Sequence, residues 1–262
     1  MTDEQRRDQG SRVAAATHLS YELRQADPDT WRVCLRGATA YEVASRLSGV
    51  APLLDLSGWA DEVEALVQAD RYHDVDRFLR FATEAYPVPG QAGEIWALHP
   101  DSPERGTSEW SGLLRRAKPR GGVGDLGAAR QLGRRMARTM RLHPGIRQAE
   151  AIVPVPDGSD KRPYSLPYIL AEMIADILDI PFVPSLVRKA RPTPEAKNLT
   201  PMERRVMLAG SFVVCGAHRG RVVVIDDVIE TGATLEAIAR MLEADGTSVV
   251  SVAAAYRGDI SR

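Results

Sequence analysis

The spacing of apolar residues changes as the chain is followed from its start. In "TAYEVASRL" (39–47), "WADEVEALVQA" (59–69) and "RYHDVDRFLRFATEAY" (71–86) they recur three and four positions apart, which predicts amphipathic helices. Residues 1–17 read as frayed or weakly helical. "YPVPGQAG" (86–93) breaks the pattern with Pro and Gly, and "HPDSPERGTSE" (99–109) reads as a linker. From Trp110 the texture changes. "EWSGLLRRA" predicts a short helix, a glycine-rich turn follows, and "DLGAARQLGRRMARTMRL" predicts a second helix. Strand and helix then alternate: "AEAIVPVP" as strand, "YSLPYILAEMIADILD" as helix, "IPFVPSLVRKA" as extended chain, "TPMERRVMLA" as a short helix and "SFVV" as strand. "RVVVIDD", "TGATLEAIARMLEADG" and "TSVVSVAAAYRG" close the series as strand, helix and strand. The strands are apolar throughout instead of alternating, so both of their faces are buried. The expected fold is α/β, a mainly parallel sheet flanked by helices over residues 110–262, preceded by a mostly helical region at 1–109.

Composition narrows the class. A chain of 262 residues with 44% hydrophobic and 26% charged residues reads as one large or two ordinary globular domains. The polar start "MTDEQRRDQG" argues against a secretory signal, and no apolar run approaches the roughly 20 residues that span a bilayer. Cys34 and Cys215 form no CxxC pair, which argues against a zinc site or a disulfide framework, so the expected compartment is the cytoplasm with no membrane partner. The five histidines are scattered and form no HExxH cluster.

The net charge of -1 conceals an asymmetry. Residues 1–109 carry 11 basic against 19 acidic side chains, and residues 110–262 carry 23 against 16. A basic second part suggests an anionic ligand, either a phosphate compound or a nucleic acid, unless the two parts merely offset each other. On the helix after Asp125, Arg130, Arg134, Arg138 and Arg141 share a face opposite Ala129, Gly133, Met136, Ala137 and Met140. No aromatic residues interleave with these arginines, so a solvated cationic face is favoured over a nucleic-acid stripe.

The stretch with the most chemistry is "RVVVIDDVIETGATLEAIARML" (221–242). A buried strand ends in Asp226 and Asp227, where a polyol or a hydrated metal can meet two carboxylates. "ETGAT" then opens a helix, whose unpaired N–H groups and positive dipole end favour a phosphate. Thr231 and Thr234 add hydroxyl donors, and Gly232 lets the backbone approach closely. A hydroxyl-rich phosphorylated ligand satisfies both halves. The alternative is that Asp227 starts a turn and Thr231 caps a helix.

"VVVIDDVIETGATL" resembles the phosphoribosyl pyrophosphate (PRPP) motif of type I phosphoribosyltransferases. The resemblance implies that Asp226 and Asp227 meet the ribose hydroxyls, directly or through water on a Mg2+ cofactor, while Glu230, Thr231, Gly232, Ala233 and Thr234 cradle the 5-phosphate. It also implies catalytic roles for Asp227 and for Glu230, the latter exchanging a proton with the acceptor. Over residues 110–258 the order "LLRRAKPRGG", "IVPVP", "RKARPTPEAKNLTPMERR" and "GSFVV" is similar to the competence-associated ComF family. That similarity implies a pyrophosphate loop at Pro156, Asp157, Gly158, Lys161 and Arg162, and a hood carrying Arg188, Lys189, Arg191 and Thr193. Lys118, Arg204 and Arg205 fall on further basic positions.

Two departures stand out. The two cysteines cannot build the zinc ribbon that usually begins ComF-like proteins, and "RPYSL" (162–166) replaces their R-G-F-N-Q run. The expected activity is transfer of phosphoribosyl from PRPP to a nitrogenous base or related acceptor. The alternative is a PRPP- or nucleotide-sensing, or DNA-uptake or DNA-processing, accessory on the same fold. Expected associations are nucleic acid through the basic part, and a homo-oligomer or a protein partner through the N-terminal region.

Overall fold

The computed structural model describes residues 12–13, 19–59, 61–88, 93–99, 108–119, 124–157, 164–191, 203, 207–208, 210–216, 218 and 220–257. It divides into two compact units, Met1–Pro89 with Leu142–Gly145, and Gly90–Arg141 with Ile146–Arg262.

The first unit is built on a sheet. β1 (Arg12–Val13), β2 (Ser20–Asp27), β3 (Thr30–Arg36), β4 (Leu53–Trp59) and β5 (Glu62–Gln68) lie antiparallel in the order β1-β2-β3-β5-β4. Helix α1 (Ala40–Leu47) packs on β5 and β3, and α2 (Tyr72–Glu84) on β2, followed by the two-residue strand β6 (Tyr86–Pro87). The core joins Val33, Leu35, Val63 and Val67 of the sheet to Val43 and Leu47 of α1 and Phe78 and Leu79 of α2, all nearly inaccessible to water. His143 lies edge-on to Phe78 and Phe81, with ring centroids 5.5 and 4.8 Å away.

This architecture corrects the expectation of a mostly helical region at 1–109. α1 and α2 form where the periodicity places them, but "WADEVEALVQA" forms the end of β4, a turn and β5. Its apolar residues satisfy both periods: Val63, Ala65 and Val67 alternate with exposed or half-buried neighbours, and β3 and β4 supply backbone partners on both sides. The unit boundary also falls at 89/90 instead of 109/110. The reason is "EIWA", a short apolar strand β7 (Glu94–Ala97) that pairs with the last strand of the second unit.

The second unit is the expected α/β structure. β7, β8 (Ala151–Pro154), β11 (Arg221–Ile229) and β12 (Ser248–Tyr256) lie in the order β7-β12-β11-β8, and every neighbouring pair is parallel. Val222 to Ile225 of β11 are fully buried, as continuous apolar strands covered on both faces must be. Its longer helices among the described residues are α3 (Glu109–Ala117), α4 (Leu126–Met140), α5 (Leu166–Leu178) and α6 (Ala233–Ala244). α5 packs on β8 and β11, α6 on β12 and β11, and α3 and α5 both pack on α4. Along α4, Ala129, Gly133, Met136, Ala137 and Met140 are buried, while Arg130, Arg134, Arg138 and Arg141 are exposed, as the spacing predicts. β9 (Val187–Lys189) and β10 (Phe212–Val214) form a separate antiparallel pair. The short helix expected at 200–209 lies mostly outside the described residues.

Candidate functional site

Parallel sheets leave the carboxyl ends of their strands open to ligands, and here those ends carry the acid pair. Asp226 stands opposite Ala253 of β12, and β8 ends beside it, with Pro154 opposite Ile225 and the Val155 N–H donating to the Ile225 carbonyl at 2.9 Å. Pro156 and Asp157 therefore leave β8 on the edge that holds Asp226 and Asp227. After Ile229 the chain turns through Glu230, Thr231 and Gly232 into α6. Gly232 is the residue before the helix and has φ 75, a left-handed conformation in which any side chain is strained.

The start of α6 differs from those of α3 and α4. Ser108 caps α3 by accepting from the Ser111 N–H at 3.1 Å, and Asp125 caps α4 by accepting from the Ala128 N–H at 2.9 Å. No side chain caps α6 in this way; the Thr231 hydroxyl is 3.5 Å from the Ala233 N–H, at the limit of a hydrogen bond. Among the described residues no side chain is placed to take up the Thr234 and Leu235 N–H groups of this first turn, which suits an outside acceptor. They border a cavity of about 130 Å³ lined by Lys118, Asp226, Val228 to Thr234 and Leu235.

Of the residues expected in the sugar-phosphate site, Asp226 and Glu230 to Thr234 line this cavity; Asp227 does not. Asp227 instead bonds Lys118, with Nζ to Oδ2 at 3.0 Å and side chains only 23% and 14% exposed. The Asp227 N–H in turn donates to Asp226 Oδ1 at 2.7 Å. Burial, and then the neighbouring charge of Asp227, push the Asp226 carboxyl well above the usual carboxylate range.

The remaining expected residues are more dispersed. Arg188 is exposed and Lys189 half-buried on β9, and Arg191 is exposed with its guanidinium donating to the Met207 carbonyl at 3.3 Å. None of these, nor Pro156 or Asp157, lines the cavity. Gly158, Lys161, Arg162 and Thr193 lie outside the described residues. Lys118 is marked in the sequence only as a basic position, and what holds it comes from distant residues. Trp110 of α3 donates from its ring N–H to the Ala254 carbonyl at 2.9 Å, and the Tyr164 hydroxyl donates to the Ala117 carbonyl. The one local signal was the Ser108-to-Ala117 helix ending directly at a lysine.

Magnesium prefers six oxygen ligands at about 2.0–2.1 Å and sheds its water reluctantly. Among the described residues no three His, Cys, Asp or Glu side chains converge on one point. The acid pair offers two carboxylates, and one oxygen of each is already engaged. Such a donor set fits an ion that arrives hydrated with its ligand and is held through water, with Asp226 and Asp227 as the residues that would hold it.

No protein-family model matches the chain. Among curated proteins it is 30% identical to competence protein F of Haemophilus influenzae over 114 residues, which is 41% of this chain and 50% of that protein. The chain thus spans half the length of this relative. Among solved structures it is similar to adenine phosphoribosyltransferase from Leishmania tarentolae, at 16% identity over 63% of this chain and 92% of that one, with a TM-score of 0.36. It is also similar to glutamine PRPP amidotransferase from B. subtilis, at 17% identity over 89% and 47% of the two chains, with a TM-score of 0.36. By sequence, then, the chain is similar to competence protein F over 114 of its residues.

Proposed function

We infer that the cavity at the β11–α6 junction binds PRPP, and that the chain transfers its phosphoribosyl group to a nitrogenous acceptor with release of pyrophosphate. The observation that carries this reading is that a carboxylate at a strand end and the uncapped N-terminus of α6 face one small cavity. The α6 N–H groups and the Thr231 and Thr234 hydroxyls hold the 5-phosphate, while Asp226 receives the ribose hydroxyls. Lys118, with Arg188, Lys189 and Arg191 from the β9 segment, supplies positive charge as the diphosphate departs. Glu230, at the cavity edge, exchanges a proton with the acceptor. Magnesium, when bound, neutralises the diphosphate and orients it. Catalysis on this scheme is positioning and charge stabilisation, with no covalent nucleophile.

A second reading has its own support. "RPYSL" (162–166) follows β8 in the sequence, and the arginine face of α4 is exposed, which suits a PRPP- or nucleotide-sensing protein that also handles nucleic acid. Titration calorimetry with PRPP and magnesium, followed by a pyrophosphate-release assay over a panel of bases, separates the two. Binding with release by one acceptor is expected. Binding without release favours sensing, and the absence of binding removes both readings. Glu230→Gln is expected to shift the pH profile of turnover, and an unaltered profile removes its proton-transfer role.

A further inference from the structure

Lys118 is the basic side chain shared by the cavity wall and the acid pair among the described residues. Its position is fixed through the helix that carries it. Ser108 caps the start of α3, Trp110 ties that helix to the Ala254 carbonyl, and the Lys118 N–H closes on the Leu114 carbonyl at 3.0 Å. The Tyr164 hydroxyl bonds the Ala117 carbonyl, and the Tyr164 ring leaves no room for a Cβ at Gly124. A lysine on a solvated helix end needs none of this.

The supported position delivers an ammonium to Asp227 at a place with little access to water. A shielded carboxylate needs a counter-charge, and an ammonium provides it with no coordination geometry to satisfy. A divalent cation at the same oxygen would have to displace Lys118 and give up part of its hydration shell. The hydrogen bond from the Asp227 N–H to Asp226 Oδ1 occupies an oxygen of the second acid as well.

We propose that Lys118 is the resident counter-ion of the acid pair: it keeps divalent cations off Asp227 in the ligand-free protein, so that magnesium enters only with the phosphorylated ligand. The second clause rests on the PRPP reading; the first does not. The lysine is thereby a positioning residue that makes metal and sugar-phosphate binding one event.

The test uses the full ligand-free chain and Mn2+ as the probe, read by water-proton relaxation. Wild type is expected to bind Mn2+ no more tightly than ordinary surface carboxylates do. Lys118→Met, which bares Asp227, is expected to gain at least about tenfold in Mn2+ affinity, since charge count sets affinity at carboxylate sites. Lys118→Arg keeps the cation and should behave as wild type, and Asp227→Asn added to Lys118→Met should erase the gain. Should Lys118→Met not fold, as judged by circular dichroism, Lys118→Gln carries the same expectation. Tight Mn2+ binding by ligand-free wild type, or equal binding by wild type and the neutral variants, overturns the proposal. Calorimetry with ribose 5-phosphate, with and without magnesium, reads the parent function separately. Its failure in wild type removes the sugar-phosphate reading and leaves the Mn2+ result standing.

Discussion

Ion pairs of similar length sit in two different surroundings in this molecule. On the sheet of the first unit, Arg24–Glu22, Arg32–Glu64 and Arg36–Glu62 close at 2.6, 2.6 and 2.7 Å, with side chains between 32% and 63% exposed. In the second unit Lys118–Asp227 is longer, at 3.0 Å, but its side chains are 23% and 14% exposed. Distance and access to water therefore rank the pairs in opposite orders. Water screens the first set and competes for its donors, whereas the second pair keeps its charges in a medium where removing one partner strands the other. These three pairs decorate a sheet face of the first unit, whereas Lys118–Asp227 places charge at the wall of a cavity.

The largest effect expected from breaking this contrast is that of Asp227→Ala. It leaves Lys118 with no counter-charge at the cavity wall. Stripping one partner from a fully buried pair costs about 3–5 kcal/mol; a lysine that can bend partly toward solvent should lose less, about 2 kcal/mol. Denaturant unfolding checks this as a lowered midpoint at constant slope. An unchanged midpoint would put Lys118–Asp227 in the same class as the surface pairs.

Intermediate effects separate the units by pH. Asp226 has its carboxyl raised by burial and by Asp227, so its neutral form is the one the fold prefers. Its contribution is fully present below the ordinary aspartate value of 3.8 and is lost as pH rises through the raised folded value. Asp226→Asn keeps an oxygen to accept the Asp227 N–H and cannot ionise. It is expected to melt a few degrees above wild type at neutral pH, with the gap closing as pH falls toward 3.8. A gap independent of pH would assign the effect to something other than this charge. In the first unit the sensitivity lies at the alkaline end. Tyr21 donates to Asp76 at 3.2 Å, and burial followed by the Asp76 charge pushes its hydroxyl from 10.0 up to about 12. That contribution is present below pH 10.0 and lost as pH rises through about 12, so Tyr21→Phe should flatten melting over that window. Equal slopes for variant and wild type there would sink the assignment.

The second unit was largely legible in the sequence because its signals are local. "RVVVIDDVIETGATL" carries buried strand, acid pair, turn and helix start in one run, and "DLGAARQLGRRMARTMRL" shows its buried and arginine faces by spacing alone. What was not legible depends on distant partners. Val63, Ala65 and Val67 fit a helix or a strand, and only pairing with β3 and β4 decides between them. "EIWA" is too short to announce a strand until β12 lies beside it. Lys118 and Asp227 are far apart in the chain, so a motif could mark each as chemically apt but could not show that they meet. Asp227 was accordingly expected in the cavity, and it is the lysine bonded to it that stands there.

The smallest effect expected is that of the best-formed surface pair. Arg32 and Glu64 lie on neighbouring strands β3 and β5, 2.6 Å apart, with side chains 46% and 42% exposed. Hydrogen bonding from the Arg32 guanidinium, the leading cause, holds the Glu64 carboxyl below its ordinary value, but exposure discounts what that means for stability. Both side chains give up rotamer freedom to meet, and salt screens what remains. A double-mutant cycle of Arg32→Ala and Glu64→Ala should give a small coupling that shrinks further at high salt. The same cycle on Lys118 and Asp227 should give a larger coupling that salt barely changes, because a shielded pair has few ions around it. If the Arg32–Glu64 coupling equals or exceeds that of Lys118–Asp227, access to water is not what separates the two sets. Lys118 would then be distinguished from the surface cations only by its effect on Mn2+ binding.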